Sequence, residues 1–230
     1  MTQQPLKSPA VTASPNLVWM VGLLAVAAAA GLLGNRFFNK PAPATPETKL
    51  EHAVEAFRSG YDQTALSTLT PLAAEGNPKA QYWLADIYEN GLGVTPDATK
   101  AVALLGKSAA QGFVPAEKHL GELYLQGNET LQDFGAAQTW LRKAAIAGNS
   151  AAQRELGHIY ALGLGVPSDP SMAYGWYENA ALNGDGLAKG MRDDILTRME
   201  PPAVAKGQQD AKDIGGEIKP AKSEIKPPKL

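Results

Sequence analysis

The sequence predicts an all-α protein: an α-solenoid of helix-hairpin repeats with a 36-residue period, preceded by a single transmembrane helix. Three observations carry this. Glycines at 76, 112, 148 and 184 bound three segments, each 36 residues on from the last, that align without a gap. Within each segment apolar residues recur twice at helical spacing, on either side of a glycine-containing turn. Ahead of them, residues 17–34 (LVWMVGLLAVAAAAGLLG) carry no charged side chain. A net charge of −2 and 44% hydrophobic residues fit one or two ordinary domains and give no basic stripe for nucleic acid. The absence of cysteine excludes disulfides, thiolate metal sites and a cysteine nucleophile.

Residues 1–16 form an N-terminal tail with Lys7 as its one cation. As a helix, residues 17–34 would span about 27 Å, close to the roughly 30 Å of a bilayer core. Phe37 and Phe38 extend the apolar reach, so the predicted membrane helix is 17–38, with Trp19 near its other end. A cleaved signal peptide is the alternative, since Ala25–Ala30 offers small-residue cleavage sites. The leading region is long and weakly charged for a signal, and an uncleaved anchor is the expectation. Arg36, Lys40 and Lys49 outweigh Lys7 and the α-amine by about one charge, a lean towards a cytoplasmic repeat domain too small to fix orientation. Residues 39–49 (NKPAPATPETK) read as a stiff, proline-rich spacer.

Residues 50–76 form a divergent leading hairpin, followed by repeats at 77–112, 113–148 and 149–184. The aligned columns include Ala80/Ala116/Ala152, Leu84/Leu120/Leu156, Tyr88/Tyr124/Tyr160 and Ala101/Ala137/Ala173. A period of this size means stacked units burying a shared core. The column Asp97/Asp133/Asp169 marks the start of each second helix, where a carboxylate accepts from free first-turn amides. Recurring aromatics at Tyr88, Tyr124, Tyr160, Trp140 and Trp176 are expected in the core. Residues 185–213 read as capping helices broken at Pro201–Pro202. Residues 214–230 form a Lys/Pro-rich tail, expected to be disordered, that carries EIKP at 217–220 and again at 224–227. It reads as a solubilising tail or as a docking segment for a partner.

The stretch GLGV at 91–94 poses a choice between a phosphate-cradling loop and a turn between helices. It returns at 163–166, two periods on, and the middle unit carries GNET instead. Lys100, the lysine that would complete a phosphate site, aligns with Ala136 and Met172. Both facts favour a turn made by glycines at positive φ.

No motif for catalysis stands out. His52, His119 and His158 have no metal-ligand spacing, and Asp193 and Asp194 point apart on a helix. No catalytic, cofactor-binding or metal-binding residue is predicted, and no cofactor. The candidate protein-binding residues lie on the first helices where the columns disagree: Tyr82/Lys118/Arg154, Asp86/Glu122/His158, and Trp83/His119 with Glu155 beneath them. Tyr82 and Trp83 stand where the other units hold charges; such aromatics are either binding anchors or are covered by the leading unit.

The segments AQYWLADIYENGLGV with AVALLGKSAAQG, and AAQRELGHIYALGLGV with AYGWYENAALNG, resemble the Sel-one-like repeat family, relatives of tetratricopeptide repeats. The resemblance covers residues 77–184. Better-known secreted members staple each hairpin with cysteines; this chain would belong to the unstapled type. The resemblance implies a non-catalytic interaction scaffold or accessory subunit of an inner-membrane complex, anchored through residues 17–38 in the lipid bilayer, with repeats in the periplasm and protein partners. A soluble secreted binder is the alternative, and a hydrolase acting on cell-wall-type substrates is a further one, resting only on stapled relatives.

Overall fold

The computed structural model describes residues 45–127 and 131–219. The predicted membrane helix at 17–38, and the second EIKP at 224–227, lie outside them. Among the described residues no helix is long and apolar enough to cross a membrane.

Among the described residues ten helices follow one another: α1 (Pro46–Arg58), α2 (Asp62–Ala74), α3 (Pro78–Asn90), α4 (Ala98–Ala110), α5 (Val114–Gln126), α6 (Phe134–Ile146), α7 (Ser150–Leu162), α8 (Pro170–Leu182), α9 (Gly186–Leu196) and α10 (Pro201–Glu217). Through α9 each helix packs on the next, so the chain is an all-α stack of hairpins. Two boundaries differ from the sequence reading. The leading hairpin begins at Pro46, inside the expected spacer, because proline is well tolerated in the first turn and Glu47 favours the positive helix end. The last helix runs to Glu217, past residue 213, through Gly215 and Gly216.

Local chemistry sets each hairpin. Asp97 accepts from the Lys100 amide, Asp133 from that of Ala136, and Asp169 from those of Ser171 and Met172. The first helices end on Gly91, Gly127 and Gly163 in the left-handed region, at φ of 67°, 71° and 73°. GLGV is therefore a helix stop. Its second glycine also permits close packing: a side chain on Gly165 would lie 2.4 Å from Phe134 Cβ.

Inside the hairpin a small residue faces a large one. A Cβ on Gly121 would meet Leu141 at 2.7 Å, and one on Gly157 would meet the Tyr177 ring at 2.5 Å. Ala85 and Leu105 occupy the same two columns in the preceding repeat, both fully buried in one cluster. Of the recurring aromatics, Trp176 is fully buried, whereas Tyr88, Tyr124, Trp140 and Tyr160 are only partly so. Their outer faces serve polar partners: Lys100 lies 5.1 Å over Tyr88, Lys143 4.0 Å over Trp140, and Gln138 donates to the Tyr160 hydroxyl.

Hairpins join through a buried polar relay. Gln81 donates to the Ala73 carbonyl and accepts from Gln111; Gln153 donates to the Ala145 carbonyl and accepts from Asn183. The middle unit puts Glu117 in this column, also buried. The equivalent acceptor is the Ala109 carbonyl, to which a carboxylate has no hydrogen to give. Burial raises the Glu117 pKa above the ordinary glutamate range, opposed by the Lys143 charge.

The α10 helix does not continue the stack. Both α9 and α10 pack on α8, and α10 runs along α8 in the same direction, with Ala203 beside Ser171 and Ala211 beside Asn179. Gly207 fits against Tyr174, and Gly175 against Ala211. Asn179 donates to the Ala211 carbonyl and Ser171 to that of Ala203.

Two expectations follow. With its folded pKa above its unfolded one, Glu117 stabilises the fold fully below the ordinary glutamate pKa and loses that contribution as pH rises through the raised value. Glu117→Gln should therefore gain about 1 kcal/mol at neutral pH, from a restored neutral hydrogen bond, and flatten the pH dependence of urea melts between mildly acidic and neutral pH. Gly157→Ala should lose about 2 kcal/mol through overpacking against Tyr177, while Gly106→Ala, in open space, should gain up to about 1 kcal/mol; thermal melts of the two variants read this directly.

Candidate protein-binding face of the first helices

The eight candidate residues fall into two groups. Tyr82, Trp83, Asp86, Lys118, His119 and Glu122 gather where the first and second repeats meet, on α3 and α5. Arg154 and His158 lie on α7.

At the first junction the aromatics form a row. Trp83 sits 5.4 Å from Phe57 of α1, with the Arg58 guanidinium 5.6 Å from its ring centroid. Tyr82 meets Trp83 edge-on at 5.2 Å, Phe113 at 5.4 Å and His119 at 6.2 Å. Both Tyr82 and Trp83 remain partly exposed. The leading unit thus covers one side of Trp83, and a row of ring surface is left open.

Carboxylates border this row. His119 Nε2 lies 3.2 and 3.1 Å from the two oxygens of Glu89, and Lys118 pairs with Glu122 at 2.7 Å. Asp86 accepts from the Asn90 amide at 2.9 Å. Burial, then the Glu89 charge, raises the Asp86 pKa. Burial, then Asp86, Glu89 and Glu122, raises that of Tyr82. The first junction therefore holds three carboxylates against Lys118 and His119.

On α7 the charges are matched. Arg154 bonds Asp185 at 2.9 Å and Glu155 at 3.2 Å; Asp185 also caps α9. His158 lies 3.9 Å from Glu155. Burial, followed by the Glu155 charge, pushes the Tyr177 hydroxyl up to about 12.

Four contributors escaped the sequence reading: Phe57, Arg58, Phe113 and Glu89. One signal was available. His119–Glu89, Gln111–Gln81, Asn183–Gln153 and Ser108–Pro78 all pair residues 30 apart, a second register beside the period of 36. Among the described residues no three His, Asp or Glu side chains come together as a metal site.

A stack of hairpins whose first helices share an open face defines the class of α-solenoid repeat proteins. The Sel1 repeat model matches residues 78–113, 114–149 and 150–185. A Sel1 repeat protein from Oxalobacter formigenes, known from a crystal structure, is 35% identical with a TM-score of 0.52, over 56% of this chain and 97% of that one. The chain belongs to the Sel1 repeat family. It is also similar to c5321, a protective antigen of uropathogenic Escherichia coli strains displaying an SLR fold, at 25% identity and a TM-score of 0.53. That match takes in 81% of this chain, which spans about half (51%) of c5321. No curated protein matches.

The Phe57–Trp83 contact ties the leading hairpin to the first repeat. Phe57→Ala and Trp83→Ala should each cost about 2 kcal/mol as half-buried large-to-small changes. The double variant should fall short of their sum by about 1 kcal/mol. Additive costs in denaturant melts would mean that the rings give each other no support.

Proposed function

We propose that this Sel1 repeat protein is a non-catalytic protein–protein interaction scaffold that binds its partner on the face of the first helices. The observation that carries this is the partly exposed row Trp83–Tyr82–Phe113–His119, edged by Asp86, Glu89 and Glu122. Exposed aromatic rings are rigid anchors of the kind that dominate binding energy. Membership of the family supports an interaction role.

The scaffold is membrane-tethered in this proposal. Residues 17–38 anchor it in the inner membrane, 39–45 lift the repeats away, and the repeats face the periplasm as an accessory part of a membrane complex. The uncharged run at 17–34 supports the anchor. The secreted, soluble binder remains the second reading, because Ala25–Ala30 also fits a cleavage site.

Intact mass of the mature chain separates the two: an N-terminus between residues 28 and 31 would sink the tether. For the binding face, a photo-crosslinker at residue 126 of the full chain should trap a partner in membranes. Asp86→Lys with Glu122→Lys should lower its yield at least tenfold while melting stays unchanged. Undiminished capture by that folded variant would place the partner elsewhere.

A further inference from the structure

The end of α10 and the two described residues after it, Ile218 and Lys219, rest on the second helices α6 and α8. Glu217 Oε2 accepts from Arg142 Nη2 of α6 at 2.8 Å. Ile218 packs, partly buried, on the cluster that contains Trp176. The Lys219 amide donates to the Ile146 carbonyl at 2.8 Å. Arg142 in turn lies 5.9 Å from the Trp176 ring centroid. With Ile214 in the same cluster, Trp176 is 1% exposed.

These contacts are made by the first of two matching seven-residue frames, EIKPAKS at 217–223 and EIKPPKL at 224–230. One repeat back the solenoid offers a second station. The column of Trp176 there holds Trp140, left partly exposed, and a cation again lies over the ring, Lys143 Nζ at 4.0 Å. Lys143 is exposed, and its charge also acts on the buried Glu117. The columns of Arg142 and Ile146 hold Gly106 and Ala110, and a Cβ on Gly106 would meet nothing within 4 Å. Lys107, also exposed, adds a second cation.

Direction and reach both allow a second contact. The chain passes from α8 to α6, so it is heading towards α4. A shallow groove lined by Gln138, Thr139, Arg142, Lys143, Ile146 and Tyr160 adjoins Arg142 and Ile146 of the first station. Seven residues of extended, proline-rich chain span about 22 Å at roughly 3.1 Å each. Successive second helices are near neighbours, since Arg142 of α6 reaches the Trp176 ring of α8, so a step of about 8–10 Å separates the stations and seven residues have ample reach.

We propose that residues 224–230 dock in cis on the outer face of α4 and α6, with Glu224 on Lys143 and Ile225 over Trp140. Residues 217–230 then form a two-station strap across the second helices. The outer face is taken by the chain's own end, and an external partner is left the face of the first helices. The strap does not depend on which partner that face binds.

The cysteine-free chain suits a paired-thiol test. In the purified full chain, Gly106→Cys with Ser223→Cys should be joined by a short bismaleimide at least tenfold faster than Asn90→Cys with Ser223→Cys. Lys143→Glu should slow the first pair at least threefold, and Lys143→Arg should leave it unchanged. Equal rates for the two pairs would overturn the proposal. So would products joined only between chains, which would place the tail on a second copy. If Gly106→Cys loses helicity, Lys107→Cys replaces it, with the same expected and overturning results.

Discussion

The constraint on which the stack rests is the approach of the two helices within each hairpin. At Gly121 and Gly157 even one added carbon would strike Leu141 or Tyr177 well inside van der Waals contact. A small residue on the first helix admits a large one from the second, and dispersion over that seam makes the pair a rigid unit. The seam recurs every 36 residues, so each unit presents the same flanks to its neighbours. Regular stacking then follows from nearest-neighbour contacts alone. A substitution that widened one seam would also tilt every later hairpin against the earlier ones.

Stacking is fixed by a second set of contacts, the polar pairs 30 residues apart. Gln81 and Gln153 are wholly buried, yet each meets a carbonyl and a donor from adjoining hairpins, so their burial adds direction instead of strain. Glu117 breaks that relay in the middle unit. The junction between the first two repeats is therefore held by apolar packing and by the His119–Glu89 contact on its surface. Polar chemistry that is internal at one joint has moved outward at the other.

This separation explains what could be read from the sequence. The period, the two helices per unit, the Asp caps and the glycine stops are local, and each was visible in the residues themselves. The start of α1 was not, because Pro46 is equally at home in an extended spacer and in a first helical turn. The seating of α10 on α8 was not either. It depends on Gly175, Gly207 and Gly215 meeting α8 and α10 at close range, and glycines read in isolation suggest only a weak helix. The expectation that all recurring aromatics are core held only in part at Trp140 and the tyrosines, which pack against the core clusters but stay partly exposed, because periodicity records which side a residue faces and not whether a neighbouring element covers it.

The candidate face shows the same limit from the other side. Comparing columns marks positions that the hairpin itself does not need, and Tyr82, Trp83, Asp86 and Arg154 are all such positions. It is blind to the use of those positions between hairpins, where Arg154 is fully engaged by Asp185 and Glu155 and Trp83 is half covered by Phe57 and Arg58. Subtracting those contacts leaves one place where the face is under-compensated: Tyr82 with Asp86, Glu89 and Glu122 around it. Like charges held together at partial burial disfavour their own ionisation, as the raised Asp86 and Tyr82 values record. A cationic group arriving over Tyr82 would relieve that cost and gain a ring face at once. The charges at the first junction are thus less compensated than those on α7, where Asp185 and Glu155 hold Arg154.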